Sequence, residues 1–406
     1  MSAVPIYRLE ESFYVPEFAV TVRGHDLPFD VVRDVSQVTF TDAVGEIESF
    51  DLVVANWDAG ERKFKYIPPL KAQPSSRGTA PRLEGIFDPG SEVELSMGYH
   101  GNLSTMLKGE ITTLEPSYPD GGVSTLSVRG LSVLHRLRTQ QHTFSWTDKR
   151  DSDIAREMGG QPEERRDRPG FRLRVDTDPL PDEPVQPYVY MDNQYDIVFL
   201  LNRARVHGYE LVLREEGTGG RTQQVLHFGP SQSRELPPTY ELEWGKSLVS
   251  FQPTLSTAQQ ISEVEVRGWD RRTRRPIVEK ASWENDRALR NNPREKQRMK
   301  TLAQAFGGRR EVVTHIPVHT AAVARDLARK ILSDRMKRMV TATGSTVGLP
   351  ELRAGRKVQI TGFGDLFDGT YFLTKTKHTI RADAGYLTEF ECRREGSEEN
   401  AGGQSG

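Results

Sequence analysis

The chain has 406 residues, a formal net charge of −2, 36% hydrophobic residues and 28% charged residues. That length allows two to four domains of about 100–200 residues, each with its own core, and the near-zero charge argues against a protein whose main task is holding a polyanion. One cysteine, Cys392, excludes a disulfide framework within a single chain and a cluster of thiolates around zinc.

The first residues lack the basic start and apolar run of a signal peptide, and no run of about 18 apolar residues suits a membrane span. Synthesis in a bacterial cytoplasm is the expectation. From residue 18 the pattern is that of strands: residues 18–22, 38–40, 50–54, 92–97 and 124–128 alternate apolar and polar with a period of two. Residues 68–81, rich in Pro, Ser, Gly and Lys, read as a loop, and Pro119-Asp-Gly-Gly122 reads as a turn. Near Ser152 the period changes. Residues 152–158 predict a short helix with a capping residue at its start. Residues 196–207 predict a second helix, with Ile197, Leu200, Leu201 and Ala204 as its apolar stripe and Gly208 as its C′ stop. Two strands follow, at 209–213 and 224–228. β-structure resumes at 247–251 and 263–267, is interrupted by a charged helix at 292–306 and a longer one at 320–339, and returns at 357–360, 371–377 and 386–393. The last of these places Cys392 on one face with Tyr386 and Phe390, as a buried structural thiol.

The chain also repeats itself. Val20-Thr-Val-Arg-Gly-His-Asp26 recurs as Val264-Glu-Val-Arg-Gly-Trp-Asp270, and Gly90-Ser-Glu-Val-Glu-Leu95 as Gly355-Arg-Lys-Val-Gln-Ile360. Gly109-Glu-Ile111 recurs as Gly369-Thr-Tyr371, and Gly122 with its following strand as Gly385 with its own. The order is kept, and the extra length in the second copy falls where the helices at 292–306 and 320–339 sit. The expected architecture is α+β but mainly β, with two similar tube-like β-barrel domains separated by a small α+β domain. The boundaries are 1–146, 147–240 and 241–395, and residues 396–406 form a disordered polar tail.

Catalytic patterns are weak. His315 and His319 flank Pro317, which disfavours the helix that an i, i+4 metal pair requires. Gly344-Ser-Thr-Val-Gly348 has its serine one place early for a nucleophile elbow, and Gly362-Phe-Gly-Asp-Leu-Phe367 lacks the third glycine of a dinucleotide loop. The densest basic cluster, Asp270-Arg-Arg-Thr-Arg-Arg-Pro276, has no interleaved aromatics and reads as a solvated hairpin tip or a contact to an acidic neighbour. The expectation is therefore a non-enzyme with no catalytic residue, cofactor or metal, and without stable nucleic-acid binding.

Several motifs carry a resemblance. Leu95-Ser-Met-Gly-Tyr-His-Gly101, Gly109-Glu-Ile-Thr-Thr-Leu-Glu-Pro116, Thr125-Leu-Ser-Val-Arg-Gly130 and Asp192-Asn-Gln-Tyr-Asp-Ile-Val-Phe-Leu-Leu201 resemble the phage late control D family. So do Val266-Arg-Gly-Trp-Asp270 and Leu349-Pro-Glu-Leu-Arg-Ala-Gly355. The resemblance spans residues 18–394 and extends to the N-terminal hub part of VgrG spike proteins. It implies a baseplate hub of a contractile phage-tail-like injection system, a component of the assembled particle. The implied hub is a homotrimer whose two tube-like domains per chain form a pseudo-sixfold ring between a hexameric inner tube and a trimeric spike. The implied partners are the chain itself, the inner tube protein, a separate spike protein, and other baseplate or LysM-type adaptor proteins. The alternative from another class is a tail-associated cell-wall (peptidoglycan) hydrolase. Within the hub reading, Val93, Leu95, Ile111, Thr113, Val358, Ile360, Thr374 and Thr376 are the candidate ring or lumen residues, with Thr374, Thr376 and His378 as a polar face opposite Tyr371, Leu373 and Lys375.

Overall fold

The alternating segments become strands in a computed structural model, which describes residues 4–5, 15–67, 85–160, 168–179, 183–218, 221–231, 238–285, 293–306 and 308–395. The loop expected at 68–81 and the tail at 396–406 lie outside the described residues. In chain order the first strands are β1 (Val4–Pro5), β2 (Pro16–Val22), β3 (His25–Asp26), β4 (Val35–Ala43), β5 (Ser49–Ala55), β6 (Trp57–Asp58) and β7 (Lys63–Phe64). They are followed by β8 (Glu92–Tyr99), β9 (Asn102–Ser117) and β10 (Thr125–Ser132), with a short helix α1 (Phe29–Asp34) before β4. The middle of the chain holds β11 (Gln141–Lys149), α2 (Asp151–Gly159), β12 (Arg174–Thr177), β13 (Gln186–Tyr195), α3 (Asp196–His207), β14 (Tyr209–Thr218) and β15 (Arg221–Pro230). The last part holds β16 (Pro238–Glu243), β17 (Leu248–Leu255), β18 (Glu263–Asp270), β19 (Arg275–Ser282), α4 (Pro293–Phe306), β20 (Arg310–Val313) and α5 (Ala321–Lys337). It ends with β21 (Val340–Val347), β22 (Lys357–Thr361), β23 (Gly369–Arg381) and β24 (Gly385–Arg394).

The fold is mainly β. Fourteen strands form one continuous sheet in the order β1-β16-β22-β23-β4-β5-β10-β9-β8-β2-β3, with β24, β21 and β17 branching from β23. No closed ring of strands forms among them. Within this sheet two five-strand paths share one order: β4-β5-β10-β9-β8 and β17-β21-β24-β23-β22. They also share their irregularities. The β4–β5 ladder skips Ser36 and the β17–β21 ladder skips Val249. The β10–β9 ladder skips Thr112 and the β24–β23 ladder skips Thr374, and both bulged threonines donate their hydroxyl to a backbone oxygen of the neighbouring strand, Arg129 or Glu391. Gly90 and Gly355, with φ of 83° and 81°, open equivalent turns. Gly90 N donates to Ile111 O as Gly355 N donates to Leu373 O.

The repeat differs from the sequence reading in one member. Val264–Asp270 lies in β18, inside a separate sheet β19-β18-β20, while β2 pairs antiparallel with β8 and the strand that flanks β22 is β16, in parallel. Short strand motifs ending in Arg-Gly are generic, and this one matched by composition alone. The second copy's extra length runs between β17 and β21, where the first copy has a tight connection from β4 to β5. It carries the β18–β20 sheet with α5 packed over it, burying Ala324, Ala328 and Leu332.

The middle unit packs α2 and α3 on β11, β13 and the β12-β15-β14 sheet around Trp146, Ile154, Phe199, Leu200 and Phe228. Residue 146 falls inside β11, which pairs with β13, so this unit begins before residue 147. Likewise β16 starts at Pro238, ahead of the expected boundary at 241. Gly208 ends α3 at φ 67°. Thr320 caps α5 by accepting from Val323 N at 3.3 Å, whereas α2 starts at Asp151 and Ser152 lies buried within it, without a side-chain cap.

Candidate functional site

The two five-strand paths meet where β4 pairs with residues 375–381 of β23, and this seam holds a buried polar network. Val38, Phe40 and Asp42 share one face of β4, so the strand's apolar face ends in a carboxylate, which is 4% exposed. Burial of such a group requires partners. Arg353 supplies one, at 2.8 Å from Asp42 Oδ2, and reaches Glu48 at 3.1 Å. Its guanidinium also lies 4.3 Å from the centre of the Phe40 ring. Ala354 N and the Thr376 hydroxyl complete the set around Asp42.

Behind Asp42 the network continues. His378 Nε2 lies 3.1 Å from Leu352 O, which can only accept, so Nε2 carries the proton. His378 Nδ1 then accepts from the Tyr386 hydroxyl at 3.0 Å. Burial holds this imidazole down to about 4, in the neutral form. Tyr99 of β8 bonds Gly348 O at 3.1 Å. The connection from β21 to β22 is thus pinned to the first copy at Gly348, Arg353 and Ala354. An arrangement of this kind fixes one five-strand path against the other. It offers no group poised for bond-making.

The eight candidate interface residues separate into two sets. Val93, Leu95 and Ile111 lie in the core of the first copy, and Val358 and Ile360 in that of the second. Thr376 is fully buried on Asp42. These six face the chain's own interior and cannot also face a lumen or a neighbour. Thr113 is exposed and Thr374 half-buried. The reason is the bulge. Thr374 has no partner in β24, so alternation inverts there: Tyr371 and Leu373 point inward before it, and Thr376, His378 and Ile380 point inward after it. The polar face expected to be wet is the buried network of the seam. Asp42, Glu48, Arg353 and Tyr99 escaped the sequence reading. The signal was present at Asp42, a carboxylate in phase with Val38 and Phe40.

Elsewhere, a cleft of about 450 Å³ in the middle unit is lined by His142, Asp196, Gly170 and Arg172 among others. Its acidic group serves the fold, because Asp196 starts α3, bonds His142 at 2.8 Å and accepts from Gly170 N at 3.0 Å. His315 and His319 are exposed in the non-helical stretch before α5. Among the described residues no group of three or more His, Cys, Asp or Glu side chains could hold a metal. Cys392 is buried, and burial pushes its thiol far up. Residues 271–274 of the basic cluster form the turn between β18 and β19.

The architecture has solved counterparts. The 43 kDa tail protein of prophage MuSo2 from Shewanella oneidensis is similar over 93% of this chain and 98% of its own, with a TM-score of 0.62 and 14% identity. A tail protein from Neisseria meningitidis MC58 follows, with 95% and 98% covered, a TM-score of 0.60 and 14% identity. The E. coli c3393 protein, a component of the type VI secretion system, matches over 92% of this chain and 76% of its own, with a TM-score of 0.52 and 12% identity. The chain therefore has the fold of phage tail proteins. By sequence, the family described as Alg8 N-terminal domain matches residues 14–382, and the chain belongs to that family. No curated protein matches it.

Proposed function

We propose that the chain is the structural baseplate hub of a contractile phage-tail-like injection system, a homotrimeric adaptor that joins a hexameric inner tube to a trimeric spike around a central channel. The observation that carries this reading is the duplication: one strand order with the same bulges occurs twice in one polypeptide. Three such chains would present six equivalent units to a sixfold tube and a threefold arrangement to a spike. The tail-protein fold and the late control D resemblance support it. In this reading each five-strand path, with its flanking strand, is one tube-like domain, and the middle unit stands between them in the chain. The partners are inner tube protein, spike protein and baseplate or LysM-type adaptors, and the role is force transmission and templating with no chemical step.

The test is a reconstruction of particles purified from cells that express the chain with its tube and spike proteins. Three copies at the tube–spike junction are expected. A chain that stays monomeric in the presence of both partners would sink the reading.

A further inference from the structure

The joint between the two copies has a fixed hydrogen-bond phase. Val44 N donates to Thr374 O at 2.9 Å and Ala382 N donates to Ser36 O at 3.3 Å. Antiparallel pairing alternates, so between these points Phe40 and His378, directly opposite each other, exchange two N–H···O bonds.

The shared bulges tell which residues stand in the same places on the outer edges. Phe40 lies four residues beyond the skipped Ser36, and Pro253 four beyond the skipped Val249. His378 lies four beyond the skipped Thr374, and Pro116 four beyond the skipped Thr112. Both edges are open among the described residues: β17 pairs only with β21, and residues 112–117 of β9 pair only with β10 and are mostly exposed. The chain thus displays, on two separate edges, the complementary halves of its own internal joint. Each half has a proline at the position where the internal joint has a mutual donor.

Complementary edges of this kind add head to tail, closing into rings or growing without end. Proline has no N–H, and two prolines opposite each other would leave two carbonyls without donors. We propose that Pro116 and Pro253 control assembly: they weaken the addition of the β17 edge of a second copy of this chain to the β9 edge of the first. Isolated copies then do not polymerise by strand pairing. The proposal concerns the isolated chain and does not depend on the hub reading.

The equivalent of the Thr41–Lys377 pair across two copies is Thr254 opposite Glu115, a separation within disulfide reach. Glu115→Cys and Thr254→Cys chains, mixed and oxidised with diamide, report this contact between copies only, since Cys392 is buried. With the prolines present, no crosslink above that of either chain alone is expected. With Pro116→Val and Pro253→Val in both chains, two restored hydrogen bonds raise the association constant roughly 30-fold, and light scattering shows growing species. Pro116→Ala with Pro253→Ala restores the same donors should the valine pair fold poorly. A crosslink that forms equally well with the prolines in place overturns the proposal, as does its absence from folded proline-free chains. A particle lacking threefold copies sinks the hub reading alone.

Discussion

At the residue scale, the informative group is Asp42. It is a charge on the apolar face of a central strand, held by Arg353, Ala354 N and the Thr376 hydroxyl. Removing one member of a buried pair leaves the other charge without compensation, which is costlier than never having the pair. Asp42→Ala is therefore expected to lower stability by about 3–5 kcal/mol in urea unfolding, and Asp42→Asn by less, because its side-chain oxygen still accepts from Ala354 N. Equal losses for the two variants would show that the carboxylate charge carries the whole effect and that the bond from Ala354 N adds nothing. The paired turn glycines give a second comparison. A Cβ on Gly90 would meet nothing within 4 Å, whereas one on Gly355 would lie 2.7 Å from Val212 Cγ1. Both carry the cost of a left-handed backbone, about 1–3 kcal/mol, so Gly355→Ala should melt well below Gly90→Ala. Equal melting temperatures would mean that Val212 yields freely.

At the element scale, β23 is two strands in one. Its first half faces the second core and its second half faces the seam, and the change of phase is made by one unpaired residue, Thr374. Deleting Thr374 would remove only the bulge: Leu373 and Lys375 already face the consecutive residues Cys392 and Glu391, so Tyr371, Leu373, Thr376 and His378 would share the inner face in regular alternation. The deletion is expected to fold and to keep the native near-ultraviolet circular dichroism, with the loss of the bonds made by Thr374 as its cost. Thr374→Val, which removes only the hydroxyl bond to Glu391 O, should cost about 1 kcal/mol. A deletion variant that fails to fold would show that the bulge itself, and not only the facing of the residues around it, is required. This bulge is also why period-two reasoning misread the strand. Alternation was legible on either side of Thr374, but nothing in the local sequence marks the skipped residue, because Thr is at home in any strand position.

At the scale of the whole molecule, buried histidines set opposite limits on pH. His207 of α3 is buried between Asp151 at 2.6 Å and Asp326 of α5 at 3.0 Å, with Arg203 on the other side of Asp151. Burial disfavours its charge, but the bonds to Asp151 and Asp326 outweigh that and hold it up at about 9. An unfolded histidine titrates near 6.5, so this contribution is full below that pH and is lost as pH rises towards 9. His378 and His227 go the other way: burial lowers each to about 4. The unfolded chain takes up those protons first, and stability falls as pH drops from about 6.5 towards 4. Urea midpoints should therefore peak near neutrality, and His207→Gln should flatten only the alkaline limb. An unchanged alkaline limb would mean that the α3–α5 joint does not depend on that proton.

By itself the sequence determined the strand-rich composition, the helices at α3, with its Gly208 stop, and α5, and the order of repeated strands around Gly90 and Gly355. Each of these depends on contacts between near neighbours or on a backbone angle that only certain residues tolerate. Tertiary structure decided that the two copies fuse through β4 and β23 into one sheet, that Thr376 and His378 lie inside it, and that β18 belongs to an inserted sheet. Those outcomes depend on a bulge that shifts register and on Asp42 meeting Arg353 across most of the chain's length. A partner so distant leaves no periodic trace in the residues on either side of it.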